Sequence, residues 1–136
     1  MQAWVEQQLG CAVVAQAPLG GGCIHQAWRL ELADGRSVFA KTNAAAALPM
    51  FEAELNGLLQ LAHHAPAALV IPEPLAWGVA GDRAVLLLSW LQLAGSLGAA
   101  AESAWFQCGQ GLAQLHLSSA GSAPAKGYGA AADNFI

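Results

Sequence analysis

Three consecutive glycines, Gly20-Gly21-Gly22, running into Cys23-Ile24-His25-Gln26-Ala27-Trp28-Arg29-Leu30, constrain this chain more than any other stretch. The run reads as the end of one strand, a glycine turn and a returning strand. A glycine triplet has no side chains to keep a ligand off the backbone, and it tolerates positive φ. Such a turn can fold over phosphate groups with its N–H groups as donors. Downstream, Phe39-Ala40-Lys41 sets one lysine inside an otherwise apolar strand. Buried lysines are almost always paired, because an isolated ammonium in low dielectric is costly. A nucleotide phosphate and a helix carboxylate together would pair it. A flexible hairpin turn beside a snorkelling lysine is the plainer alternative, and the order of the segments downstream decides between the two.

At 136 residues the chain is one small domain's worth of polypeptide. Its apolar content of 56% exceeds the roughly 45–50% usual for globular domains, a sign that some apolar surface serves something outside the chain. A net charge of −4 with five basic residues argues against nucleic acid, which needs clustered Lys and Arg to displace counterions. No basic amphipathic helix for a membrane surface appears either. Met1-Gln2-Ala3-Trp4-Val5-Glu6 lacks the basic start and apolar core of a signal peptide. The uncharged run from Ala84 to Ala101 approaches the length of a membrane span, but Ser89, Gln92, Gly95, Ser96 and Gly98 interrupt it, and a strand followed by a loop is expected. Cys11, Cys23 and Cys108 are odd in number and match no metal spacing, which suggests a reducing compartment and hence the cytoplasm.

Taken in order, Trp4, Val5 and Leu9 share one face of a short helix ending at Gly10. Strands are expected over Cys11 to Ala17, Ile24 to Leu32 and Ser37 to Thr42, the last two joined at Ala33-Asp34-Gly35-Arg36 by a type I′ turn. Period-two alternation puts Phe39 and Lys41 on the face opposite Val38. Pro49 opens a helix in which Phe51, Leu55, Leu58, Leu59 and Ala62 keep helical spacing. Glu54 lies one step before the ridge of Leu55 and Leu58 and can turn toward Lys41, with Glu52 the competing partner. His63-His64 invites a metal reading, yet adjacent helical residues point apart, and a solvated helix end is preferred. Ile71-Pro72-Glu73-Pro74 is an extended connector. Two further strands, Leu75 to Val79 and Ala84 to Ser89, flank Gly81-Asp82. Trp90-Leu91-Gln92-Leu93 leads into a glycine-containing linker. A helix from Glu102 to Ser118 then presents Trp105, Cys108, Gly109, Leu112 and Leu115 or His116 along one stripe.

Glycine-rich loop, third-strand lysine and helix glutamate occur in this order in protein kinases. The runs Leu19-Gly20-Gly21-Gly22-Cys23-Ile24, Phe39-Ala40-Lys41-Thr42-Asn43, Met50-Phe51-Glu52-Ala53-Glu54 with Gly57-Leu58, and Ile71-Pro72-Glu73-Pro74-Leu75 resemble the fructosamine kinase (ketosamine 3-kinase) family. Leu112-Ala113-Gln114-Leu115-His116, Tyr128-Gly129 and Asp133-Asn134-Phe135-Ile136 extend the resemblance over nearly the whole chain. It implies an α+β, protein-kinase-like small lobe: a five-stranded antiparallel sheet with one inserted helix over residues 1–93, then the hinge and first helix of a large lobe over 94–136. The activity implied is transfer of the ATP γ-phosphoryl to a sugar hydroxyl of a glycated amine, a deglycation reaction, with ATP and Mg²⁺ as cofactors. The partners implied are ATP and a ketosamine, free or protein-bound. By the same resemblance Gly20, Gly21, Gly22 and Cys23 cover the phosphates, Lys41 holds the α- and β-phosphates, Glu54 pairs with Lys41, and the backbone of Ser89, Trp90 and Leu91 takes the adenine. Cys23, where the family often has cysteine, would be a redox-sensitive thiol able to bridge to another chain.

The catalytic aspartate and the acidic or amide ligands of Mg²⁺ that kinase chemistry needs do not appear in these 136 residues. They are expected beyond Ile136, so the chain alone is expected to transfer no phosphoryl group. The helix face around Trp105 is expected to lie bare and to favour self-association. Two other readings stand beside this one: a non-catalytic module that binds a nucleotide or a partner, and an aminoglycoside- or choline-type phosphotransferase lobe. Against the last stand the glycine triplet, the Phe-Glu-Ala-Glu run and the Asp-Asn-Phe-Ile ending.

Overall fold

The computed structural model describes residues 1–20, 25–93 and 99–122. Helix α1 (Gln2–Leu9) precedes strands β1 (Val13–Leu19), β2 (Gln26–Leu32) and β3 (Ser37–Ala44); after one 3₁₀ turn come α2 (Leu48–His64), β4 (Pro74–Ala80), β5 (Arg83–Ser89) and α3 (Ala99–Ser119). The strands form one antiparallel sheet in the order β1-β2-β3-β5-β4. Placing β5 beside β3 makes it a central strand, and Ala84 to Leu88 are buried on both faces. That explains why this run carries no polar alternation.

Each sheet face has its own helix. On one side Val5 of α1 packs with Leu30, Leu32, Val38, Ala40, Val85 and Leu87. On the other, Phe51 of α2 packs with Ala84, Leu86 and Leu88, flanked by Phe39, Leu48 and Leu58. The period-two expectation for β3 therefore holds: Val38, Ala40 and Thr42 are buried against the α1 side, while Phe39 and Lys41 face α2. Thr42 is a buried hydroxyl, and Trp28 Nε1–H donates to it at 3.3 Å.

Several sequence expectations are corrected. The β2–β3 connection is not a type I′ turn. Gly35 N–H donates to Leu32 O at 2.9 Å, Leu32 N–H to Arg36 O at 2.9 Å, and Gly35 takes φ +85°. This is a three-residue loop closed by a glycine bulge, the other common hairpin solution. In α2, Phe51 and Leu55 are buried, but Leu59 is 52% exposed and Ala62 is exposed too, so the inward ridge is narrower than the apolar pattern suggests. In α3 the packed side runs through Cys108, Gly111 and Leu115 rather than along Trp105, Gly109 and Leu112. Gly111 decides this: a Cβ there would sit 2.7 Å from Leu69 Cγ, so the glycine lets the loop after α2 close onto the helix. Ser118 Oγ also donates to the carbonyl of His64 at 2.9 Å, tying α3 to the end of α2. Of the stripe expected to lie bare, Trp105 is exposed at 76% but Leu115 is buried at 7%; Phe106 and Leu117 are exposed as well, at 67% and 79%. Among the described residues no helix is long and apolar enough to cross a membrane.

Gly78 in β4 adopts φ +156°, and a Cβ there would lie 3.1 Å from Trp4 Cζ2. Gly57 in α2 has open space around its missing Cβ. The two positions should respond oppositely to alanine. Gly78→Ala is expected to lose about 1–3 kcal/mol through backbone strain and displacement of the Trp4 ring. Gly57→Ala should gain up to about 1 kcal/mol from helix propensity. Urea midpoints of the two variants check this, and a neutral Gly78→Ala would show that α1 packs more loosely on β4 than described.

Candidate nucleotide cleft

The α2 side of the sheet is open toward the β1–β2 hairpin and the segment after β5, leaving a cleft of about 760 Å³. Its size falls in the range of small-molecule and cofactor sites. Leu19, Gly20 and Ala27 come from the hairpin, Phe39 and Lys41 from β3, Leu88 from β5, and residues 89–93 close one edge. The antiparallel register aligns Ala27, Lys41 and Leu86 in one row across the sheet and Arg29, Phe39 and Leu88 in the next. Small Ala27 opposite Lys41 leaves the ammonium room to reach α2.

Lys41 Nζ lies 2.8 Å from both carboxylate oxygens of Glu54. Phe51 and Leu55 fix the rotation of α2 by pointing into the sheet, which aims Glu54 at β3 and leaves Glu52 exposed on the outer side. The competition between the two glutamates is thereby settled in favour of Glu54. The pair is only partly covered, with side chains 25% and 29% exposed, so solvent screening keeps its contribution to stability modest. An ammonium has three donors, and bonding to one carboxylate leaves capacity for a further acceptor in the cleft that Lys41 lines.

Ser89 has a structural duty. Its N–H donates to Glu73 O at 2.8 Å, and its hydroxyl accepts the Glu73 N–H at 2.9 Å, stitching the proline connector to the end of β5. The Ser89 N–H is therefore already used and is not available to an adenine, which the resemblance implied the Ser89 backbone would help to take. Trp90 and Leu91 line the cleft beside it. Gly20 does too, whereas Gly21, Gly22 and Cys23 lie outside the described residues, as does the Asp133-Asn134-Phe135-Ile136 run. Cys11 and Cys108 are free thiols.

Three residues of the site went unread in the sequence. The Arg29 guanidinium lies 4.8 Å over the Trp90 ring while also donating to Ser37 Oγ at 3.2 Å, so β2 holds Trp90 by a cation–π contact. His25, at the end of the glycine run, lines the cleft, and its ring centroid lies 5.0 Å from that of Phe51. Asn43 Nδ2 lies 2.9 Å from His25 Nδ1. Burial, and then the charge of Lys41, hold the His25 imidazole below its ordinary pKa, with Glu54 acting in the opposite sense. Period-two spacing places Asn43 on the Lys41 face, a signal that could have flagged it.

The apolar cleft fits a planar heterocycle, and Lys41 fits the anionic groups attached to it. Among the described residues no group of three His, Cys, Asp or Glu side chains could hold a metal ion.

A five-stranded antiparallel sheet, a helix inserted after β3 and a Lys–Glu pair spanning them define a protein-kinase-like small lobe. The chain belongs to the fructosamine kinase family, whose family model matches residues 1–136. Among solved structures it is similar to a protein of Haemophilus somnus 129PT, provisionally described as a fructosamine-3-kinase, with 23% identity and a TM-score of 0.70 over 85% of this chain and 37% of that one. A second, of Thermobifida fusca YX-ER1 with the same provisional description, is 30% identical, with a TM-score of 0.62 over 87% of this chain and 38% of that one. At its identity the first likeness shows the fold alone. The chain thus spans less than two-fifths of the length of these structures. No curated protein matches it.

Proposed function

We propose that this chain is the nucleotide-binding part of a ketosamine 3-kinase, which transfers the γ-phosphoryl of ATP to a sugar hydroxyl of a glycated amine and so initiates deglycation. The Lys41–Glu54 pair at the wall of an apolar cleft carries the reading. Glu54 holds the ammonium in place before the ligand arrives, so the α- and β-phosphates meet a preorganised cation. Adenine lies against Ala27 and Leu88. With the Ser89 N–H spent on Glu73, its hydrogen-bonding edge is read by the backbone of Trp90 and Leu91. Gly20, Gly21, Gly22 and Cys23 cover the phosphates. Residues 1–93 form the small lobe and 94–136 begin the large one. The odd cysteine count fits a cytoplasmic setting.

The test is phosphoryl transfer by the protein as its cell makes it, with its intact mass measured on the same preparation. Ribulosamine and fructosamine conjugates of lysine, an aminoglycoside and choline are offered with ATP, and products are read by phosphorus NMR. A sugar phosphate on the ketosamines alone is expected. Transfer to the aminoglycoside or choline, or to none of them, would overturn the proposal.

A further inference from the structure

His25 and Asn43 meet at the rim of the cleft, and the second partner of Asn43 determines what the histidine presents. Asn43 Oδ1 accepts the backbone N–H of Ala44 at 2.8 Å, which fixes which way round the amide sits. The group facing the ring at 2.9 Å is therefore the amide nitrogen, a donor with no acceptor capacity. A donor requires a lone pair opposite it, so Nδ1 is unprotonated and the ring proton sits on Nε2. Protonating Nδ1 would set two donors against each other, and the low-lying imidazole pKa agrees with a neutral ring. Phe51, fully buried in α2, lies 5.0 Å from the ring between centroids and tilted by 53°, so a fixed core side chain backs the imidazole.

We propose that His25 is a phosphate-binding residue. Its Nε2–H donates to a β- or γ-phosphate oxygen of the bound nucleoside polyphosphate next to Lys41, and Asn43 is the positioning residue that sets the tautomer. This rests on the nucleotide reading of the cleft. The division of labour is physical: Lys41 supplies the charge, and His25 supplies direction without adding a second cation to a site that already contains a tight ion pair.

The experiment uses the intact protein with nitrogen-15-labelled histidine, recording two-bond proton–nitrogen spectra at neutral pH alone and with adenosine, ADP or a non-hydrolysable ATP analogue. Calorimetry of the same ligands runs in parallel. The free protein should show the Nε2–H tautomer for His25, and ADP and the ATP analogue should shift its Nε2 while adenosine leaves it in place. His25→Ala should weaken ADP binding by about tenfold and leave adenosine unaffected, as for loss of one hydrogen bond to a charged group. Asn43→Asp should convert the ring to the Nδ1–H or doubly protonated form. An Nδ1–H tautomer in the unmodified protein, an equal shift with adenosine, or an unmoved Nε2 when ADP binds would overturn the role of His25 while leaving the cleft reading intact. Absence of nucleotide binding by calorimetry would overturn both. The tautomer and shift are read in the unsubstituted protein, so the proposal stays falsifiable if His25→Ala folds poorly.

Discussion

Lys41→Met in the intact protein should lower affinity for ADP by about 10- to 100-fold and leave adenosine binding nearly unchanged. A hydrogen bond involving a charged group is worth about 1.5–3 kcal/mol, and about 1.4 kcal/mol corresponds to a factor of ten. The loss should appear in binding rather than in folding. Glu54 would lose its partner, but at 29% side-chain exposure it can recruit water, so the unfolding midpoint should move little. Glu54→Gln should have the same pattern with a smaller effect, since an amide oxygen can still accept from the ammonium without matching its charge. Calorimetry with both ligands separates the outcomes. Equal losses for adenosine and ADP would mean that Lys41 shapes the cleft rather than holding phosphate.

Phe51→Ala should be the most destabilising single change in the described core, at about 3–5 kcal/mol, the range for truncating a fully buried aromatic side chain. Phe51 is 0% exposed and is the largest side chain packed between α2 and the central strand β5. Its loss removes the residue that sets the rotation of α2, and with it the aim of Glu54 and the support of the His25 ring. Urea unfolding of this variant beside Leu59→Ala is the check. Leu59 is 52% exposed, and its truncation should cost only about 0.5 kcal/mol. Similar midpoints for the two variants would show that α2 is not anchored through Phe51.

The core of the fold was readable because its signals are local. The Asp34-Gly35 and Gly81-Asp82 turns, the alternation through β3, and Pro49 at the start of α2 each act over a few residues, and each appears where it was expected, although the first turn is a bulged three-residue loop rather than type I′. Lys41 was legible for the same reason, as a charge on a face that alternation had already assigned. Errors arose where a partner from elsewhere decides. The Ser89 N–H, expected to face an adenine, is taken by Glu73 from the proline connector, and the packed side of α3 depended on Leu69 meeting Gly111.

Sequence alone singled out the candidates: a lysine on an apolar strand, two glutamates on the next helix, and glycines before them. Tertiary structure chose between the glutamates, because the rotation of α2 is set by burying Phe51 and Leu55 against β5, a strand that enters well after the helix ends. The same packing brought Asn43 against His25 and Arg29 over Trp90, pairs far apart in the chain. Hydrophobic periodicity records which face of an element avoids water; it does not record what that face meets, which is settled only when the elements pack.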